Sequence, residues 1–147
     1  MNTLTARTPR RLAALLALLA PLTAAASAGT AVLDLEVAGI TATEGLLMVA
    51  LYPNAERYRR DAMESRMVEA RAGTMQLRFD GLPPGEYAIA VFHDRNGNGR
   101  LDTNVMGMPT EPAAFSGRGG AFGPPAWPQA SFRLTADGAR VLVRLPE

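Results

Sequence analysis

Short stretches in which apolar residues recur at every second position, separated by Gly, Pro and Asp-Gly or Asn-Gly steps, constrain this chain more than any other feature. Successive side chains of an extended strand point to opposite faces, so a two-residue period marks a strand with one face in a core and the other in solvent. Leu33, Leu35 and Val37 alternate with Asp34 and Glu36, and Met75, Leu77 and Phe79 alternate with Gln76 and Arg78. Tyr87, Ile89 and Val91 define a further strand, with small Ala88 and Ala90 on its other side. Phe132 and Leu134 flank Arg133, and Val141, Val143 and Leu145 continue the pattern near the C-terminus. Leu46 to Leu51 is apolar on both faces, which suits a central strand, and Met67 to Ala70 reads as a short edge strand. Asp137-Gly138 predicts a type I′ hairpin between the last two strands, with φ positive at both central positions. Asn54 to Ser65 carries a capping Asn followed by good helix formers and predicts one short surface helix or turn. The fold class expected is all-β: a sandwich of seven or so strands, with one short surface helix and a long Gly/Pro-rich loop.

The N-terminus reads differently. Arg7, Arg10 and Arg11 precede an apolar run from Leu12 to Leu22, and small residues lead to Ala26-Ser27-Ala28. This is the plan of a secretory signal peptide, and the run is too short to span a bilayer. Residues 1–28 are therefore expected to be removed, leaving a single sandwich domain at 29–147 in the periplasm or outside the cell. No membrane span is expected after cleavage and, with no Cys, neither a lipid anchor nor a disulfide. Every basic residue of the chain is Arg, and three of the 15 lie in the leader. The mature part then carries 12 Arg against 14 acidic residues, a net charge of −2. Without a clustered basic face, nucleic acid is not an expected partner.

Leu82-Pro83-Pro84-Gly85-Glu86-Tyr87 says how one strand begins. The prolines cannot donate to a ladder and the Gly supplies a reversal, after which Tyr87 enters the core and its hydroxyl needs a backbone partner. The pattern L-x-P-G-x-Y resembles the corner of transthyretin-like and Cna-B-like sandwiches, relatives of the immunoglobulin arrangement, and the resemblance implies an immunoglobulin- or transthyretin-like sandwich.

The strand ending at Phe92-His93 runs into Asp94-Arg95-Asn96-Gly97-Asn98-Gly99-Arg100-Leu101-Asp102. Oxygen side chains stand at relative positions 1, 3, 5 and 9 with Gly at 6, the first three quarters of a D-x-[DN]-x-[DN]-G calcium loop. The candidate ligands are Asp94, Asn96, Asn98 and Asp102, with Arg100 offering its backbone carbonyl. Hard oxygen donors select Ca²⁺ over zinc or copper. Position 12 is Val105 rather than a bidentate Glu, so affinity is expected in the weak extracellular range of about 10⁻⁴–10⁻³ M. Asn104 and Glu111 are available to complete the shell. The alternative is metal-free, since two successive Asn-Gly steps are also what tight turns favour.

His93 is the only His. It lacks a neighbouring nucleophile and orienting group, so a hydrolase centred on it is the weakest reading and no catalytic residues are assigned. Gly107 to Pro128 forms a long Gly/Pro-rich crossing with Phe115, Phe122 and Trp127. Its aromatics either pin it to the sandwich or present a surface to an envelope protein or a glycan.

F-H-D-x-N-G-N-G-x-L-D-T-N at Phe92 to Asn104 is followed by Gly107-Met108-Pro109, Phe115-Ser116, Phe122-Gly123-Pro124-Pro125 and Ala130-Ser131-Phe132. Together with the Leu82 to Tyr87 corner, these motifs resemble the DUF2141 proteins, exported bacterial proteins of unknown function. The resemblance covers nearly all of the mature chain. Gly117-Arg118 departs from it, because polar amides are expected there. It implies an exported sandwich and no particular biochemistry.

Overall fold

The two-residue period becomes strand wherever it is sustained. The computed structural model describes residues 29–117 and 123–146. The leader read over residues 1–28, and Phe122 of the aromatic crossing, lie outside the described residues. Eight strands run β1 Ala31–Ile40, β2 Leu46–Tyr52, β3 Glu64–Glu69, β4 Gly73–Leu82, β5 Gly85–Asp94, β6 Ala113–Phe115, β7 Phe132–Leu134 and β8 Ala139–Arg144, with one helix, α1 Trp127–Ala130, before β7. They form two sheets. One has the order β4-β1-β8; the other has the order β3-β2-β5-β6, with β7 also paired to β5. The protein is an all-β sandwich. Among the described residues no helix is long and apolar enough to cross a membrane.

The core lies between the sheets. Leu33, Leu35 and Val37 of β1, Phe79 of β4 and Val143 of β8 face Leu47, Val49 and Leu51 of β2 and Ile89 and Val91 of β5, and all are buried. Each such side chain contributes about 1.5–3 kcal/mol of transfer free energy. The alternation in β1 changes phase near its end, where Ala38 and Ile40 are both buried and the register with β4 shifts. Gly39 makes this possible at φ +81, a backbone region in which a Cβ is strained and here would press on the Leu145 carbonyl.

Three expectations are corrected. Of the short helix or turn expected over Asn54 to Ser65, the turn forms and the helix does not. Asn54 caps the first of two successive turns, its Oδ1 accepting the Arg57 N–H at 2.9 Å, and Glu64 and Ser65 already belong to β3. The one helix is instead the four-residue α1, and β3 spans Glu64–Glu69 rather than Met67 to Ala70. Asp137-Gly138 makes no type I′ hairpin. Gly138 N–H donates to the Thr135 carbonyl at 3.0 Å, but only Gly138 has positive φ, and the turn hands the chain from β7 in one sheet to β8 in the other. There β8 runs parallel to β1. Replacing Asn54 with Ala removes the capping oxygen from an exposed turn. It should cost about 0.5–1 kcal/mol, read as a fall in melting temperature of a few degrees.

Candidate functional site

β5 carries the chain from the core to the oxygen-rich loop. Tyr87, Ile89, Val91 and His93 point inward and Ala88, Ala90, Phe92 and Asp94 point to the other face, as the strand period requires. Asp94, the last residue of the strand, is paired with Leu46 and fully buried. Gly45 lets the start of β2 come this close: it sits at φ +81, and a Cβ there would overlap the Asp94 carbonyl.

The loop then folds back on Asp94. Its Oδ1 accepts the Asn98 N–H at 3.1 Å and its Oδ2 the Gly99 N–H at 2.7 Å. Asn96 Oδ1 accepts the same Asn98 N–H at 3.0 Å, and Asn98 Oδ1 accepts the Arg100 N–H at 2.9 Å, two local turns of the kind Asn favours. Asp102 closes the ring: its carboxylate accepts the Asn96 amide at 2.6 Å and the Asn98 amide at 3.0 and 3.1 Å. The four side chains singled out by their spacing are thus drawn together, and Arg100 lies in the same turn.

Their chemistry fits a hard cation in kind and is sparse in charge. A carboxylate has about four lone-pair sites and an amide oxygen two, so Asp94, Asn96 and Asn98 all keep acceptor capacity beyond the bonds that shape the loop. Among the described residues, however, no three His, Cys, Asp or Glu side chains form a metal-holding group. Glu111 and Asn104 serve the backbone. Glu111, itself buried, accepts the Arg95 N–H at 2.8 Å and the Asp102 N–H at 3.0 Å, bracing both ends of the loop. Asn104 Oδ1 accepts the N–H groups of Met106 and Met108 in the next turn.

His93 is sealed in the sandwich. It has no exposed surface, its Nε2 lies 2.8 Å from the Glu44 carbonyl, and its Nδ1 has no partner. Since a carbonyl can only accept, the Nε2 carries the hydrogen. The aromatic crossing packs on Tyr58. Edge-on contacts join Tyr58 to Tyr52 at 5.5 Å, to Trp127 at 5.7 Å and to Phe115 at 6.2 Å, and its hydroxyl donates to the Pro125 carbonyl at 3.1 Å. Burial raises the Tyr52 and Tyr58 hydroxyls above the ordinary tyrosine value, and nearby Arg59 draws both partly back.

Two anchors of this region were not assigned from sequence. Ser116 lies within the Phe115-Ser116 motif, and its buried hydroxyl clamps β5 to the end of α1. Gly117, where amides were expected, sits at φ +78 with no room for a Cβ beside the Gln129 carbonyl.

Comparison with curated proteins gives no match, and comparison with solved structures gives none either. The family model of DUF2141, described as an uncharacterized protein conserved in bacteria, matches residues 35–141, from the core of β1 into β8. The matched span holds both the Leu82–Tyr87 corner and the Asp94–Asp102 loop, and the chain belongs to the DUF2141 family.

Proposed function

We propose that the mature chain is an exported β-sandwich, periplasmic or secreted, that serves as a binding or structural module and holds Ca²⁺ weakly at the end of β5. The observation that carries this reading is the folding of the loop on its own oxygens: Asp102 accepts the Asn96 and Asn98 amides, and Asp94 and Asn96 both accept the Asn98 N–H. The carbonyl of Arg100 is the fifth oxygen of the proposed shell. Bound there, Ca²⁺ would offset the repulsion between two carboxylates and tie the loop to β5; no reaction is assigned to it. The non-enzymatic reading is supported by the burial of His93 and by its Nε2 being committed to a main-chain carbonyl. Export is supported by the basic and apolar pattern of residues 7–28.

Calcium titration of the melting temperature tests the site. A ligand that binds only the folded state at tenfold above its Kd stabilises by about 1.4 kcal/mol. At about 10 mM Ca²⁺, above the weak-site range, the melting temperature should rise by roughly 5 °C. Mg²⁺ should do less, because it holds its waters and demands a smaller octahedral shell. Asp94 accepts a backbone N–H on each carboxylate oxygen, so Asp94→Asn would set its Nδ2 donor against an N–H group and disturb the loop. Asp102→Asn, which meets only side-chain amides that can turn away, is the cleaner probe and should remove most of the shift. A wild-type protein whose melting is unmoved by 10 mM Ca²⁺ would leave Asp94 to Asp102 as a metal-free double Asn-Gly turn.

A further inference from the structure

We infer that the outer face of the β3-β2-β5-β6 sheet is a binding groove for a small amphipathic anion, an apolar chain or ring ending in a carboxylate. The register builds the groove. On β2, β5 and β6, Ala50 is opposite Ala90 and Ala90 is opposite Phe115, while the next outward row pairs Met48 with Phe92. Two alanines side by side leave a trough, Met48 and Phe92 raise one wall, and Phe115 closes one end. The depression measures about 480 Å³, within the range of about 300–1,000 Å³ usual for small-molecule sites. It is open toward β3, where Met67 is 60% exposed. Strands about 4.8 Å apart make the trough roughly 14 Å long from β3 to β6, the reach of a medium-length chain rather than of a protein segment.

Arg59 supplies the polar end. It lines the same groove beside Tyr52. Of the two arginines that line the groove, Arg66 is paired with Glu64, whereas among the described residues no carboxylate lies within ion-pairing distance of Arg59. Its backbone is also costly. Arg59 is the one non-glycine residue with positive φ among the described residues, at +60, where the turn alone would favour Gly. An unpaired guanidinium, carried on a strained backbone at the rim of an apolar trough, is complementary to an anion with an apolar body, and its planar fork suits a carboxylate. The groove needs no cation in the Asp94 loop, although Gly99 and Leu101 of that loop form part of its border.

Dodecanoate and uncharged dodecanol, titrated in calorimetry below their aggregation limits and in chelator-containing buffer, separate the two halves of the site. Dodecanoate should bind once per chain, at least about tenfold more tightly than dodecanol. Arg59→Gln should erase that preference while leaving dodecanol binding and the melting temperature unchanged, because the side chain is exposed and unpaired. Ala50→Leu, which fills the trough from an outward position, should abolish binding of both. No saturable dodecanoate binding, an Arg59→Gln protein that keeps the preference, or binding only to anionic phospholipid vesicles would each overturn the inference. Because calcium is absent throughout, these outcomes are independent of the cation reading.

Discussion

Tyr87→Ala should lower the melting temperature by roughly 12–20 °C. Tyr87 is 4% exposed, its ring lies 6.5 Å from that of Phe132, and its hydroxyl donates to the Pro83 carbonyl at 2.7 Å. Truncating a buried aromatic costs about 3–5 kcal/mol, because the cavity adds to the lost burial. In a domain of this size 1 kcal/mol moves the midpoint by roughly 4 °C. The loss should be local as well as global, since Tyr87 pairs with Phe132 and fastens β7 to β5. Tyr87→Phe isolates the hydroxyl. Pro83 is exposed, so water can replace the lost donor, and the cost should be only about 1 kcal/mol. Burial raises the Tyr87 hydroxyl above its ordinary value of 10.0. The stabilising, protonated form is therefore fully present below about pH 10 and is lost as the pH rises through the higher folded-state value. Thermal melts followed by circular dichroism decide the matter: a Tyr87→Ala protein melting within 2–3 °C of wild type, on the scale of about 4 °C per kcal/mol, would mean that the ring supports nothing.

The corner shows what a sequence makes legible. Two prolines, a glycine and a tyrosine at fixed offsets specify a reversal followed by a buried ring, and local chemistry is enough to read it. The phases of β1, β4, β5 and β8 were legible for the same reason, since a one-residue slip would move every apolar side chain to the wrong face, whereas β2, apolar on both faces, showed none. Partner choice between strands is not local. Asp137-Gly138 correctly marks a turn, yet whether that turn folds β8 back on β7 or hands it to β1 depends on which edge is free. The three residues of β6 and the four of α1 are too short to display any period. The stretch from Asn54 has helix formers but stops after two turns, because the chain must be extended again by Glu64 to pair with Leu51.

The loop follows the same division. Oxygen side chains at alternate positions from Asp94 announced a loop folded on itself, and Asn96 and Asn98 do meet Asp102 while Asp94 holds the backbone N–H groups of Asn98 and Gly99. Glu111 reaches back across nine and 16 residues to hold two backbone N–H groups, and no spacing rule contains that contact. The anion groove was likewise invisible, because it arises from alanines brought together across β2 and β5 and from a backbone angle at Arg59.

Ser116→Ala should be nearly as damaging as the loss of Tyr87, although it removes a single oxygen. Ser116 has no exposed surface. Its Oγ accepts the Ile89 N–H at 2.7 Å and donates to the Ala130 carbonyl at 2.7 Å, while its own N–H donates to the Ile89 carbonyl at 2.8 Å. The hydroxyl thus continues the β5 ladder beyond β6 and ties it to the end of α1. Alanine would strand one buried donor and one buried acceptor, each costing about 1–3 kcal/mol, or about 2–6 kcal/mol together. Repacking offers little relief: the site has no room even for a Cβ at Gly117 beside the Gln129 carbonyl, and Ala130 is fully buried. Urea denaturation should show the loss as a lower midpoint with an unchanged slope, because the surface exposed on unfolding hardly changes. Hydrogen exchange at the Ile89 amide should accelerate more than at Leu35 in the opposite sheet, since the opening begins where the clamp was. Ser116→Thr keeps the hydroxyl but adds a methyl group to a filled site, so it should fall between wild type and Ala. A Ser116→Ala protein within about 1 kcal/mol of wild type, less than one stranded group costs, would mean that water reaches both backbone groups and that the clamp is not what joins α1 to the sandwich.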